Sequence, residues 1–217
     1  MSIANAKARA IALLAKGEGL VNFMYLDSKS RVTIGYGTML PDAASATAID
    51  LRHPNKQPAK PEEKRAEWER LRKISPAGTD RNYSAQSYRK DAKLFIMESE
   101  ADRLRLLKLD CFIAELRIAY PGFDTFPEDA QVAMMDMVYN LGGGGITKKF
   151  PKFTRAVNNP KGPDWKTAAL ESNRPDLSPE RNKDVKDLFL SAARIAESEA
   201  RNQPGRPLMK AKGREHR

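Results

Sequence analysis

A single cysteine, Cys111, stands in 217 residues, so no intramolecular disulfide can form. Folding must then rest on core packing, and a reducing compartment is the expected setting. Histidine is almost as scarce. His53 and His216 are the only two, one in a polar stretch and one near the C-terminus. That leaves no Ser-His-Asp or Cys-His set and no zinc-ligand spacing, and no metal or organic cofactor is implied. No apolar run approaches the roughly 18 residues that a membrane span needs. Near the N-terminus, Lys7 and Arg9 precede AIALLA, a run of six apolar residues. A signal-peptide core is usually about 7–15 residues long, so this run reads as part of an amphipathic helix.

What is present is a soluble, strongly basic chain. It is 41% hydrophobic, enough for a buried core, and 30% charged, with a mean hydropathy of -0.61. The length allows one domain or two closely packed lobes. The net charge of +10 favours nucleic acid, anionic lipid or an anionic cell envelope as partner. Nucleic acid is not expected, because no aromatic interleaving, zinc spacing or recognition helix accompanies the charge. The last residues, 203–217, carry Arg206, Lys210, Lys212, Arg214 and Arg217 against Glu215. They read as a disordered tail able to adhere to an anionic envelope.

Helical spacing predicts a first helix over 3–16, with Gly17 as its stop. Phe23 to Leu26 and Val32 to Tyr36 read as two strands of a hairpin. Residues 41–83 are polar, with one helix from Pro61 to about Ile74 that shows Trp68 and Leu71 on a small apolar face. A long helical pattern covers 84–118 and includes Leu94, Phe95, Leu104 and Leu116. The segment from Pro127 to Leu141 is apolar on most sides, as in a buried central helix. Gly142 to Gly145 reads as its stop; the nearby Lys148 and Lys149 do not make a phosphate loop, which would end in Gly-Lys-Ser/Thr. Shorter helices are predicted near 151–158 and 164–171, and a last one over 179–201 with Ser178 as cap and Pro179 in its first turn. Cys111, Met134, Met135 and Met137 read as core.

The segment KGEGLVNFMYLDSKSRVTIGYGT carries the chemistry. Glu18 follows the first helix, whose negative dipole end disfavours a carboxylate; a partly buried Glu18 should therefore hold its proton, as a general acid must. If the turn is centred on Ser30, Asp27 and Thr33 oppose each other with Cβ atoms about 4.5–5.5 Å apart. An ionised Asp27 could then take a proton from a water that Thr33 orients. Alternation puts Thr33, Gly35 and Gly37 on one strand face nearly free of side chains, where a flat sugar ring could lie.

This segment resembles the active-site segment of phage-type lysozymes, glycoside hydrolase family 24, which place Glu, Asp and Thr in this order and spacing before a TIGYG-like strand. The resemblance covers most of 3–40 and 84–200. SAQSYRKDAKLFIMESEAD is similar to the family's inter-lobe helix region, and AMMDMVYNLGGGGI to its central helix. RNKDVKDLFL is similar to its late helix. Two departures stand out: Thr38 occupies a position where members often have His, and 41–83 is longer than in compact members.

The resemblance implies an α+β, lysozyme-like fold, mostly helical, with a small hairpin lobe and a cleft between two lobes. Residues 1–202 would form the catalytic domain, made of 3–40, the insert 41–83 and the helical lobe 84–202. It implies a muramidase that cleaves the β-1,4 bond between N-acetylmuramic acid and N-acetylglucosamine in peptidoglycan. Glu18, Asp27 and Thr33 would be catalytic. Gly35, Gly37, Tyr139, Asn140 and Phe150 would contact substrate, and Arg181 would pair with the catalytic glutamate. Inversion at the anomeric carbon is implied, with about 6.5–9.5 Å between the two carboxyl groups. A lytic transglycosylase and a non-catalytic lysozyme-like module are the alternatives. The expected protein is a monomer, made in the bacterial cytoplasm without a signal peptide. It would reach the wall as a phage endolysin or as a delivered antibacterial toxin, and in the second case the insert is where an inhibitor or immunity protein would bind.

Overall fold

A computed structural model describes residues 3–15, 19–75 and 84–202. The fold is α+β, with two hydrophobic cores. The helical core takes its residues from α1 (Ile3–Ala15), the later part of α4 (Glu98–Ala119), α5 (Glu128–Leu141), α6 (Gly143–Lys149), α7 (Pro151–Val157), α8 (Trp165–Leu170) and α9 (Pro179–Asn202). The central helix is as the pattern implied: every residue from Ala130 to Tyr139 is buried, the three methionines included. In α1 the core side is Ala6, Ala10 and Leu14, four residues apart and so on one face. Ser178 caps α9, its Oγ accepting from the Arg181 amide at 3.2 Å. Among the described residues, no helix is long and apolar enough to cross a membrane.

The smaller core belongs to a five-stranded antiparallel sheet in the order β3-β2-β1-β5-β4. Its strands are β1 (Val21–Leu26), β2 (Val32–Gly35), β3 (Thr38–Met39), β4 (Leu51–Arg52) and β5 (Phe95–Ile96). The segment expected to be a polar insert is an integral part of this lobe. It supplies β4, α2 (Ala43–Thr47) and α3 (Pro61–Arg72), and its Ala46, Ile49, Leu51, Ala59 and Leu71 are buried with the hairpin residues. Leu71 is fully enclosed. Leu71→Ala should therefore cost about 2–5 kcal/mol through lost burial and a residual cavity. The measure is the midpoint of thermal or denaturant unfolding; a loss within about 0.5 kcal/mol, the usual surface effect, would mark α3 as peripheral.

Three expectations are corrected. The helix predicted from 84 begins only at Glu98, because Leu94 and Ile96 are buried while Phe95 between them is half-buried. That is strand period, and β5 sits inside the sheet, preceded by a 3-10 turn over Ala85–Asp91. Gly142, at φ 71, does end α5, but Gly143 to Gly145 then form the first turn of α6 rather than a flexible stop. Cys111 is exposed on α4 instead of buried.

Helix α4 joins the lobes. Ala101 and Leu104 near its start lie in the small core, whereas Leu109, Ile113 and Leu116 lie in the helical core. At 1.5 Å per residue its 22 residues run roughly 33 Å, long enough to reach across both.

Candidate active site

The β1–β2 hairpin closes through a three-residue turn. The Asp27 amide donates to the Arg31 carbonyl at 3.0 Å, and the Ser30 amide donates to the Asp27 carbonyl at 2.9 Å. Ser30 takes the left-handed conformation, φ 54. The enclosed Ser30 pairs its hydroxyl with Ser75 at 3.1 Å, and its carbonyl accepts from Arg72 Nη1 at 2.8 Å. The turn is thus fastened to the end of α3, a second way in which the insert supports the site.

This turn is centred on Lys29, not Ser30, and that shifts the register. Asp27 stands across from Arg31, while Thr33 pairs with Tyr25 and Val32 with Leu26. Asp27 and Thr33 are therefore diagonal neighbours on one face of the hairpin rather than a directly opposed pair, a spacing of about 7–8 Å. The Thr33 hydroxyl donates to the Arg31 carbonyl at 3.1 Å, which leaves its lone pairs free to accept. Glu18 lies outside the described residues, in the connector between α1 and β1.

Asp27 is bonded within its own turn. Oδ1 accepts the Lys29 and Arg31 amides, both at 2.9 Å. Oδ2 accepts Arg31 Nε at 2.7 Å, and Arg31 Nη2 lies 2.7 Å from the same oxygen as an ion pair. A carboxylate offers about four lone-pair sites, so three of them are occupied. Backbone amides on one oxygen make this an Asx-type turn, which explains why aspartate suits the position structurally. The Arg31 side chain is 51% exposed, and an ion pair that open contributes only about 0.2–1 kcal/mol.

The glycines do not form an open sugar platform. Gly35 and Gly37 have φ 66 and 75, and they shape the tight connection from β2 to β3, in which Ile34 pairs with Thr38. Gly35 is buried, and a Cβ there would lie 3.5 Å from Ile96 and 3.6 Å from Ala101. Gly37 is exposed, and its carbonyl accepts from Lys108 Nζ at 2.9 Å.

Around Gly37 the helical lobe grips the small one. The buried Tyr139 hydroxyl donates to the Tyr36 carbonyl at 3.1 Å. Lys108 Nζ sits 4.2 Å from the Tyr139 ring centroid, and Phe112 packs edge-on against the same ring at 5.8 Å. Tyr139 is thus a junction residue, with its ring enclosed. Asn140, next along α5, is exposed on its last turn. Phe150 is half-buried and lines a separate hollow of about 340 Å³ with Lys149, Lys152 and Glu171; no hairpin residue lines it.

Among the described residues the partner of Arg181 is Asp136; the pairing with Glu18 that the resemblance implied falls outside them. Asp136 is fully buried in α5, where an unpaired charge would be very costly. Its Oδ1 accepts Arg181 Nε at 3.1 Å and Nη2 at 2.9 Å, and its Oδ2 accepts Arg174 Nη2 at 2.6 Å. Burial pushes the Arg174 guanidinium below its usual range, with Asp136 opposing that shift. One acid thus bridges two bases, one on α9 and one just before it. The signal for this triad was a lone Asp inside the apolar run AMMDMV, a buried charge that had to find partners.

Among the described residues, no three His, Cys, Asp or Glu side chains gather as a metal ion would require. No protein-family model matches the chain, and no curated protein matches it.

Proposed function

We propose that this chain is a peptidoglycan hydrolase, a muramidase acting on the β-1,4 bond between N-acetylmuramic acid and N-acetylglucosamine. Glu18 protonates the leaving glycosidic oxygen. Asp27 takes the proton of the attacking water, and Thr33 orients that water through a lone pair left free by its bond to the Arg31 carbonyl. A single displacement inverts the anomeric carbon. The observation that carries this reading is the hairpin itself: a carboxyl group, Asp27, and a hydroxyl, Thr33, share one face of a two-lobed α+β fold. This hairpin directly follows the connector that bears Glu18. No cofactor enters the scheme. The enzyme acts at the wall after release from, or delivery out of, the cell that makes it, and its basic surface holds it to the anionic envelope.

One observation favours a second reading. With two backbone amides on Oδ1 and Arg31 on Oδ2, Asp27 could serve only to build the turn, as in a non-catalytic lysozyme-like module. Digestion of purified peptidoglycan decides between them, with the new ends read by NMR and mass spectrometry. The inverting muramidase yields an N-acetylmuramic acid reducing end first seen as the α-anomer. A 1,6-anhydro end would make the protein a lytic transglycosylase, and the absence of any new end would leave the binding module.

A further inference from the structure

Arg31 belongs to two structures at once. One side of its guanidinium covers Asp27 Oδ2. Its exposed side chain also lines a groove of about 220 Å³ between the β2–β3 edge and α3. Its lining between the two arginines is apolar, with Val32, Met39, Leu40, Pro41 and Trp68. Trp68 is fixed there by its indole nitrogen, which donates to the Leu40 carbonyl at 3.0 Å. Arg72 forms the other rim, its guanidinium 6.0 Å from the Trp68 ring centroid. Arg72 Nη1 is bonded to the carbonyls of Ser30 and Ser75, and among the described residues no carboxylate meets it. The groove therefore presents one uncompensated guanidinium and a second held by a weak, open ion pair, on either side of an aromatic floor.

Two backbone amides take Oδ1 of Asp27 and Arg31 Nε takes one lone pair of Oδ2, so the last lone pair opens only beside the Arg31 guanidinium. Drawing Arg31 away would open Oδ2 to a water. We infer that the groove between Arg31, Trp68 and Arg72 binds a carboxylate-bearing peptide, and that this carboxylate takes Arg31 from Asp27 and so uncovers the base. The inference rests on the reading of Asp27 as the base of a muramidase. On that substrate the group in question is the lactyl-linked peptide arm of the muramic acid residue, which carries free carboxylates and small apolar side chains. Arg31 is then a positioning residue whose clamp on Asp27 opens when the right wall polymer is seated. Isolated, uncharged glycan would find the base covered.

The test compares native peptidoglycan with the same material after its carboxylates are converted to methylamides. The wild type should cleave the amidated wall about tenfold more slowly. Arg31→Gln, which has no clamp and no charge for the ligand, should cleave both at one rate. A second arm needs no turnover: the Arg31 Nε–H and Trp68 indole N–H signals are followed by NMR as N-acetylmuramyl-L-alanyl-D-glutamate is added. Both should shift with this peptide, and neither with its bis-methylamide. Equal rates of the wild type on the two walls would overturn the inference, as would unmoved Arg31 and Trp68 signals. If the wild type cleaves neither wall, the muramidase reading has failed, and the uncovering of a base fails with it. The binding arm then still decides whether the groove takes a carboxylate.

Discussion

Asp136→Ala should lower stability by about 3–5 kcal/mol, the largest effect expected of any single substitution here. The mutation deletes the common anion of two guanidiniums. Arg181 is partly open and can turn toward water, but the Arg174 side chain is 2% exposed and has nowhere to go. For a chain of this size, each kcal/mol lowers the unfolding temperature by roughly 2–4 °C, so the loss should be on the order of 10 °C. Arg181→Ala provides the internal contrast: Asp136 keeps Arg174, and the cost should be clearly smaller. Thermal unfolding followed by circular dichroism measures both. A fall of under about 1 kcal/mol for Asp136→Ala would show that the triad relaxes into solvent, against the burial described here.

The second large effect is on rate. Glu18→Gln keeps the shape of the side chain and removes its proton, and should lower the rate of wall clearing by about 10²–10⁴-fold, the usual worth of a positioned acid. Asp27→Asn is the more discriminating substitution. Asparagine retains an oxygen that can accept the Lys29 and Arg31 amides, so the Asx-type turn survives and the fold should be intact. It cannot act as a base. A turn residue would tolerate the change with activity unaltered, whereas a base would lose a comparable 10²–10⁴-fold. Clearing of a peptidoglycan suspension, alongside an unfolding curve for each variant, separates the two roles.

How much of this was legible in the sequence depended on distance along the chain. The helices α5 and α9 were, because their apolar or capping residues recur within a few positions of one another. The hairpin was legible as an element, but its register was not. Ser30 adopts a left-handed conformation that serine rarely takes, and it does so because Ser75 and Arg72 hold it from α3. A turn fixed by residues more than forty positions away cannot be centred from its own four letters. The glycines at 35 and 37 stood out as unusual, and both take a left-handed backbone that strand alternation did not foresee. The insert looked polar because its core residues are spread among charged ones, Ile49 in a loop, Leu51 on β4 and Leu71 on α3. The partner of Arg181 lies 45 residues away on another helix, beyond the reach of any spacing argument.

The path of the chain through its two cores also orders its folding. The sheet, its covering helices and the first turns of α4 come from one continuous stretch, residues 21 to 104, so their contacts are comparatively local. The helical core has no such independence, since α1 packs chiefly against α5 and these are separated by more than a hundred residues. Long-range closure of that kind is slow. On the ribosome, α1 emerges well before α5 and must wait with Ala6, Ala10 and Leu14 uncovered until the central helix arrives. The small lobe can assemble in the meantime, and its growth along α4 carries the chain toward the place where α5 closes over α1. The hairpin that bears Asp27 would thus be folded well before the protein as a whole is.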